Sequence, residues 1–247
     1  MTGTGSPSHP YLECKLSVSA RVLGILGRPR PTLQEVVSHP RWASLLVALT
    51  LATAAAGAAV SATEIGQLAL VDQWERTALA FGQPVDDSRY TELQAWSRQG
   101  PVVAAGNALL AGPGVALVVS LLVFAWARRS PTSRTVSYRQ VLAVVVHAGV
   151  ILAVGRLVAA PLVYARETTA SATTLGNWFP SLDEASPVAR FLGVIDLFVV
   201  WYIVVLAIGV SVVSRRPTRR LALAFAGAYV VLALLAALVM AMSGGTA

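Results

Sequence analysis

Two opposite charges, Arg156 and Asp196, stand inside long apolar stretches of this 247-residue chain. Arg156 lies about nine residues before the end of one stretch and Asp196 about eight residues into the next, which at about 1.5 Å per residue puts both ~12–14 Å below the same surface. Each has small residues on its side of a helix: Gly149, Ala153, Ala159 and Ala160 for Arg156, and Ala189, Gly193 and Ala207 for Asp196. Small residues let helices approach closely. An Arg156–Asp196 ion pair is therefore predicted, because an unpaired charge at such depth costs at least ~2.5–3.5 kcal/mol. Such a pair can clamp helix register or pass a proton or solute, and Arg156 can also snorkel outward on its aliphatic stem. Asn107, six residues into an earlier stretch, lies at comparable depth and joins the cluster. His147, near the middle of its stretch with Gln140 one heptad earlier, is rotated about 180° from Arg156 and looks the other way. It could carry a proton or hold a ligand; hydrogen-bonded to a neighbouring carbonyl or hydroxyl, it is structural. Trp201, Tyr202 and Tyr229 are too deep for an interfacial belt, so their polar tips are expected to face the bundle.

Known membrane-enzyme chemistry is poorly supplied. The chain has no His-Glu-x-x-His and no Gly-x-Gly-Asp with a second aspartate, and no phosphate loop. Cys14 is the only cysteine and there are three histidines, so no internal disulfide, thiol-rich metal site or cofactor is expected. Ser211, in Gly209-Val210-Ser211, has the small-residue setting of an intramembrane nucleophile. His147, its nearest base, sits roughly 10 Å away along the helix axes by rise alone, too far for activation. The chain reads as a non-enzyme.

The elements that position these residues are five apolar runs, at about 42–63, 101–127, 138–165, 188–213 and 221–242. Each is near or above the ~20 residues needed to cross ~30 Å of hydrocarbon. The loops between them alternate in charge. Lys15, Arg21, Arg28, Arg30 and Arg41 precede the first run, Arg128, Arg129, Arg134 and Arg139 surround the loop after the second, and Arg215, Arg216, Arg219 and Arg220 follow the fourth. Acidic residues collect on the other side: Glu64, Asp72, Glu75, Asp86, Asp87 and Glu92, then Glu167, Asp183 and Glu184. Short basic loops stay cytoplasmic, so the expected fold is an all-α, five-transmembrane-helix bundle with a cytoplasmic N-terminus and an external C-terminus.

A formal charge of +7 and a pI near 10.3 would suggest nucleic acid in a soluble protein. Here most of the excess sits at span ends, where it sets topology and attracts anionic lipid at about 1 kcal/mol per residue. Aromatic residues are not interleaved with it as a stacking platform needs, so nucleic acid is not expected as a partner. Residues 1–15 read as a disordered tail without an apolar signal core. Residues 16–41 read as an amphipathic cytoplasmic segment on the inner membrane surface, broken at residues 28–31, with Thr32 capping a short helix. The outer hairpin, 64–100, carries Leu70, Trp74, Ala78 and Phe81 on one helical face, a break at 82–84 and a second short helix through 90–98. Its Trp and Tyr residues suit outer headgroups. Pro113, between Gly112 and Gly114, is expected to kink the second span; residues 243–247 form a tail.

Residues 26–42 read apolar-Gly-Arg-Pro-x-Pro-Thr-Leu-x-Glu-Val-Val-x-x-Pro-x-Trp into the first span; VSYRQVLAVVVHAG follows at 136–149 and VIDLFVVWYIVVLAIGVSVV at 194–213. In these segments, and across most of residues 20–242, the chain resembles bacterial members of the Yip family, the five-span Ypt/Rab-interacting membrane proteins. The resemblance implies a membrane protein without an established reaction. Eukaryotic relatives act in vesicle trafficking and associate with prenylated Rab GTPases through a longer cytosolic N-terminal region; this chain has about forty residues there and no Asp-Leu-Tyr-Gly-Pro motif. The expected function is a non-enzymatic scaffold of membrane components or lipids in the bacterial inner membrane. Arg128, Arg129, Arg215, Arg216, Arg219 and Arg220 are the expected inner lipid contacts, and other membrane proteins or a second copy are the remaining partners. The alternative is a small transporter using Arg156, Asp196 and Asn107. A water-accessible cavity reaching those residues would favour transport; a dry, closed bundle would favour the scaffold.

Overall fold

A computed structural model describes residues 17–129, 136–166, 173–179 and 186–243. The expected N-terminal tail with Cys14 and Lys15, and the loop charges Arg134, Glu167, Asp183 and Glu184, lie outside the described residues. The described chain is helical, with one isolated bridge between Thr174 and Asp196. In order come α1 (Val18–Gly27), α2 (Pro29–Ser38), α3 (Ala43–Ser61), α4 (Glu64–Ala80), α5 (Asp87–Ser97) and α6 (Gly100–Arg128). Then follow α7 (Tyr138–Ala148), α8 (Val150–Arg166), α9 (Pro187–Val194), α10 (Leu197–Ser214) and α11 (Thr218–Ser243). Five helices are long and apolar enough to cross a membrane: α3, α6, the joined α7 and α8, α10, and α11. Helices suit that environment because they satisfy their own backbone groups where no water is present. The protein is thus an all-α, five-span membrane bundle.

The spans are unequal in burial, and that decides where the core lies. Of the most apolar window of the third span 67 % is buried, and of the fourth 44 %, against 11–17 % for the other three. Val141 to Ala148 is a run of eight buried residues, so α7 is covered all round. The first two spans pack most extensively on each other through Ala- and Gly-rich faces, with Gly57 against Ala104. At Gly155 the third span touches the fourth, and a Cβ added there would stand 2.7 Å from Phe198 Cγ. The second span continues as helix through Pro113.

Part of the covering of α7 comes from the N-terminal segment. It forms two helices in which Ile25, Leu33 and Val36 have no exposed surface, while Val18 and Leu23 of α1 remain exposed. Ser17 caps α1, and Pro29 opens α2, where its missing N–H costs nothing. The second helix therefore starts three residues before Thr32, whose hydroxyl bonds back to the Arg28 carbonyl at 2.9 Å instead of capping. Gly24 provides the space in which Thr32 packs on α1. The pair lies against α7 and α10. Gln140 Nε2 donates to the Val37 carbonyl at 3.3 Å, and Leu33 packs beside Gly209.

At the far end of the bundle α4 and α5 form a hairpin. Thr63 caps α4 by accepting from Gly66 N at 3.0 Å, and Asp86 caps α5 by accepting from Arg89 N at 2.8 Å. Leu93 is buried, while Trp96 is 54 % and Phe81 43 % exposed, so the hairpin turns aromatic surface outward. The Arg89 amide and Ser88 hydroxyl hold the Asp86 carboxyl below its ordinary value of 3.8.

Two outcomes follow. Gly155→Leu should lower the thermal midpoint of the detergent-solubilised protein by an amount equivalent to about 1–3 kcal/mol of overpacking, whereas Gly227→Ala, with nothing within 4 Å, should leave it unchanged or slightly raised. Because its folded pKa is depressed, Asp86 stabilises α5 fully above the ordinary carboxylate range, and the contribution is lost as pH falls through the folded value. Helicity of the 64–100 hairpin followed by circular dichroism should therefore weaken below about pH 3.9. Asp86→Asn, which still caps, should flatten that pH dependence.

Candidate intramembrane site

The fourth span departs from expectation at the residue that mattered most. Helix is not continuous from Val188 to Val213: α9 ends at Val194, Ile195 is extended at φ −81°, ψ 105°, and Asp196 is the N-cap of α10. Asp196 Oδ1 accepts from Phe198 N at 2.7 Å and Val199 N at 3.2 Å, and Oδ2 accepts from the Thr173 hydroxyl. A carboxylate at a helix N-terminus meets unsatisfied amides and the positive end of the dipole. Tyr229 on α11 closes the break from the other side, donating to the Val194 carbonyl at 2.8 Å and accepting from Asp196 N at 3.1 Å.

The predicted Arg156–Asp196 ion pair does not form. Ion pairs join Arg21 to Glu35, Arg76 to Asp72 and Arg89 to Glu92. Asp196 is engaged by the start of its own helix, while Arg156 is exposed at one end of a cavity of about 160 Å³ between the first three spans. Asn107 is exposed on α6 and does not line that cavity, so the cluster is not assembled. His147 is 1 % exposed, and its Nδ1 donates to the Ala143 carbonyl at 2.7 Å; a carbonyl only accepts, which assigns the proton to Nδ1. Ser211 donates to the Arg216 carbonyl at 2.7 Å and lies 2.9 Å from the Thr218 hydroxyl. Both hold the α10–α11 turn, where Arg215 is left-handed at φ 55°. Trp201 is 38 % exposed and faces outward, against expectation, while Tyr202 is half-buried at the cavity.

Arg21 was read only as a topology charge, yet among the described residues it is a buried cation. It is 6 % exposed on α1, its Nη2 stands 3.5 Å from Glu35 Oε1, its Nε has no partner, and it lies within electrostatic reach of His147. The i, i+14 spacing across a helical hairpin was the available signal, hidden until the turn at Arg28 is known. The arginines after the second and fourth spans lie at the same end. Arg216 covers the Trp126 ring at 4.5 Å and Arg128 the Phe124 ring at 5.4 Å, while Arg129, Arg215, Arg219 and Arg220 are exposed.

Among the described residues no group of three His, Cys, Asp or Glu side chains is placed to hold a metal. Five apolar spans, the third the most buried, define a multi-pass integral membrane protein. No curated protein and no solved structure matches the chain. The Yip1 domain matches residues 23–241, from within α1 to the end of α11, and the chain belongs to the Yip family. It is a multi-pass membrane protein of that family.

Glu35→Gln would leave Arg21 charged and buried. Breaking a fully buried pair costs about 3–5 kcal/mol; since Glu35 keeps 27 % exposure, a loss of about 1–3 kcal/mol is expected from thermal melts. The double substitution Arg21→Met with Glu35→Leu should recover most of it.

Proposed function

We propose that this protein organises lipids and other membrane components, without turnover, in the bacterial inner membrane, with α1, α2 and the arginine-rich end cytoplasmic. Arg156, Asp196, Asn107 and His147 line no common path, and this observation carries the reading. Asp196 is engaged by backbone amides, His147 by a carbonyl within its own helix, and Asn107 is on the bundle surface. Transport through Arg156, Asp196 and Asn107 needs a polar route, whereas the lining of the cavity at Arg156 includes neither of the other two. Support for the orientation comes from the arginines at the end that carries the α10–α11 turn and the acidic α4–α5 hairpin at the other.

Affinity purification of the full chain in mild detergent tests the reading. A reproducible set of lipids or membrane proteins should be retained without conversion of any of them. Purified protein that retains nothing, or that makes vesicles selectively permeable to a solute, would overturn it. For orientation, alkaline phosphatase fused after residue 243 should be active, and fused between residues 128 and 138 inactive.

A further inference from the structure

The cavity between the first three spans presents polar groups that the protein does not satisfy. Its walls are apolar: Leu46 and Leu49 of α3 and Ala111 and Val115 of α6 line it, with the middle of the third span. Arg156, Thr50 and Tyr202 also line it. None of their side chains has a hydrogen bond or ion pair with any described residue. Thr53, one turn along from Thr50, shows the usual alternative, donating to its own helix at the Leu49 carbonyl, 2.9 Å away. Three polar groups facing one cavity in a membrane require an occupant that brings acceptors, because an unpaired polar group away from water is costly.

Size and charge restrict that occupant. About 160 Å³ is well below the ~300–1,000 Å³ of small-molecule sites. It is close to the ~150 Å³ apolar cavity that admits one benzene, so a length of hydrocarbon chain fits where a folded solute does not. Arg156 adds one positive charge six residues before the end of the third span at Leu162, about 9 Å along the helix and within snorkelling reach of the headgroup layer. An anion tethered to a hydrocarbon chain is what the bilayer itself supplies.

We propose that this cavity binds an anionic phospholipid: one acyl chain lies between the first three spans, the phosphate pairs with Arg156, and ester oxygens accept from Thr50 and Tyr202. The inference rests on the lipid-organising reading above and gives it a site and a ligand class.

Native mass spectrometry of the full chain released from nanodiscs of phosphatidylethanolamine with phosphatidylglycerol tests it. Wild type should retain one phosphatidylglycerol in preference to the zwitterionic lipid. Arg156→Gln should lower that preference about fivefold, the effect of one arginine on an anionic headgroup, and Arg156→Lys should restore most of it. Ala111→Phe, which fills the cavity without touching the cation, should remove the bound lipid. Circular dichroism and gel filtration confirm that each variant is folded, and if Ala111→Phe is not, Val115→Met takes its place. Equal retention by wild type and Arg156→Gln, retention indifferent to filling the cavity, or a second copy of the chain bound there instead would each overturn the site. If lipids or partners co-purify but ignore Arg156, this inference falls and the proposed function stands; if nothing co-purifies with any form, both fall.

Discussion

Burial of the third span is the constraint on which the bundle depends. Where it is covered on every side, from Val141 to Ile151, the helix cannot rely on lipid for its surface, so each neighbour there must present a complementary face. α2, α3, α6 and α10 all pack directly on α7 or α8, and the residues that meet there are Val, Ala, Leu and Gly. Between apolar helices in lipid there is no hydrophobic drive, so close packing of small residues carries the association. That is why Gly155 and Gly209 sit where Phe198, Val144 and Leu33 approach. The first, second and fifth spans keep most of their surface for lipid, and they follow the core instead of forming it.

The second organising feature is how polar groups inside the bundle are used. Most are spent on the backbone. Asp196 caps α10, Tyr229 bridges the gap before it, and Ser211 and Thr218 stitch the last turn. Gln140 serves twice, accepting from Ser137 N and donating to Val37. Each interruption of helix in a membrane exposes groups that water cannot reach, and side chains from neighbouring elements supply the partners. Arg156, Thr50 and Tyr202 stand apart because no such use is made of them.

The number of spans and their helical nature were legible because apolar runs of that length have few alternatives. The α4–α5 hairpin was legible in outline too, since Thr63, Asp86 and the break at 82–84 are local signals. Asp196 was misread for a local reason as well. Within an apolar run, periodicity cannot distinguish a charge on a helix face from a charge that ends one helix and starts another, and nothing in the run marks the extended Ile195. Placing Asp196 eight residues deep assumed continuity, and the ion pair followed from the assumption. Arg21 and Glu35 were hidden differently. Their pairing depends on how α1 folds back on α2 and on what the pair packs against, and both partners, α7 and α10, are more than a hundred residues away in the chain. The site facing Arg156 was half visible: the cation stood out, but the unsatisfied hydroxyls emerge only once three helices are placed side by side.

The docking of α1 and α2 has a consequence for how the molecule is made. This hairpin leaves the ribosome before the five spans, yet Val37 meets Gln140 across 103 residues, and Leu33 meets Gly209 across a still longer separation. Until the third and fourth spans have been inserted, Ile25, Leu33 and Val36 lack the α7 and α10 surfaces that complete their burial. An element made before the spans therefore finds its seat only after the fourth of them. It acts as a closing stitch on a bundle threaded in order from the other elements, and the chain carries its own report that assembly has reached the fourth span.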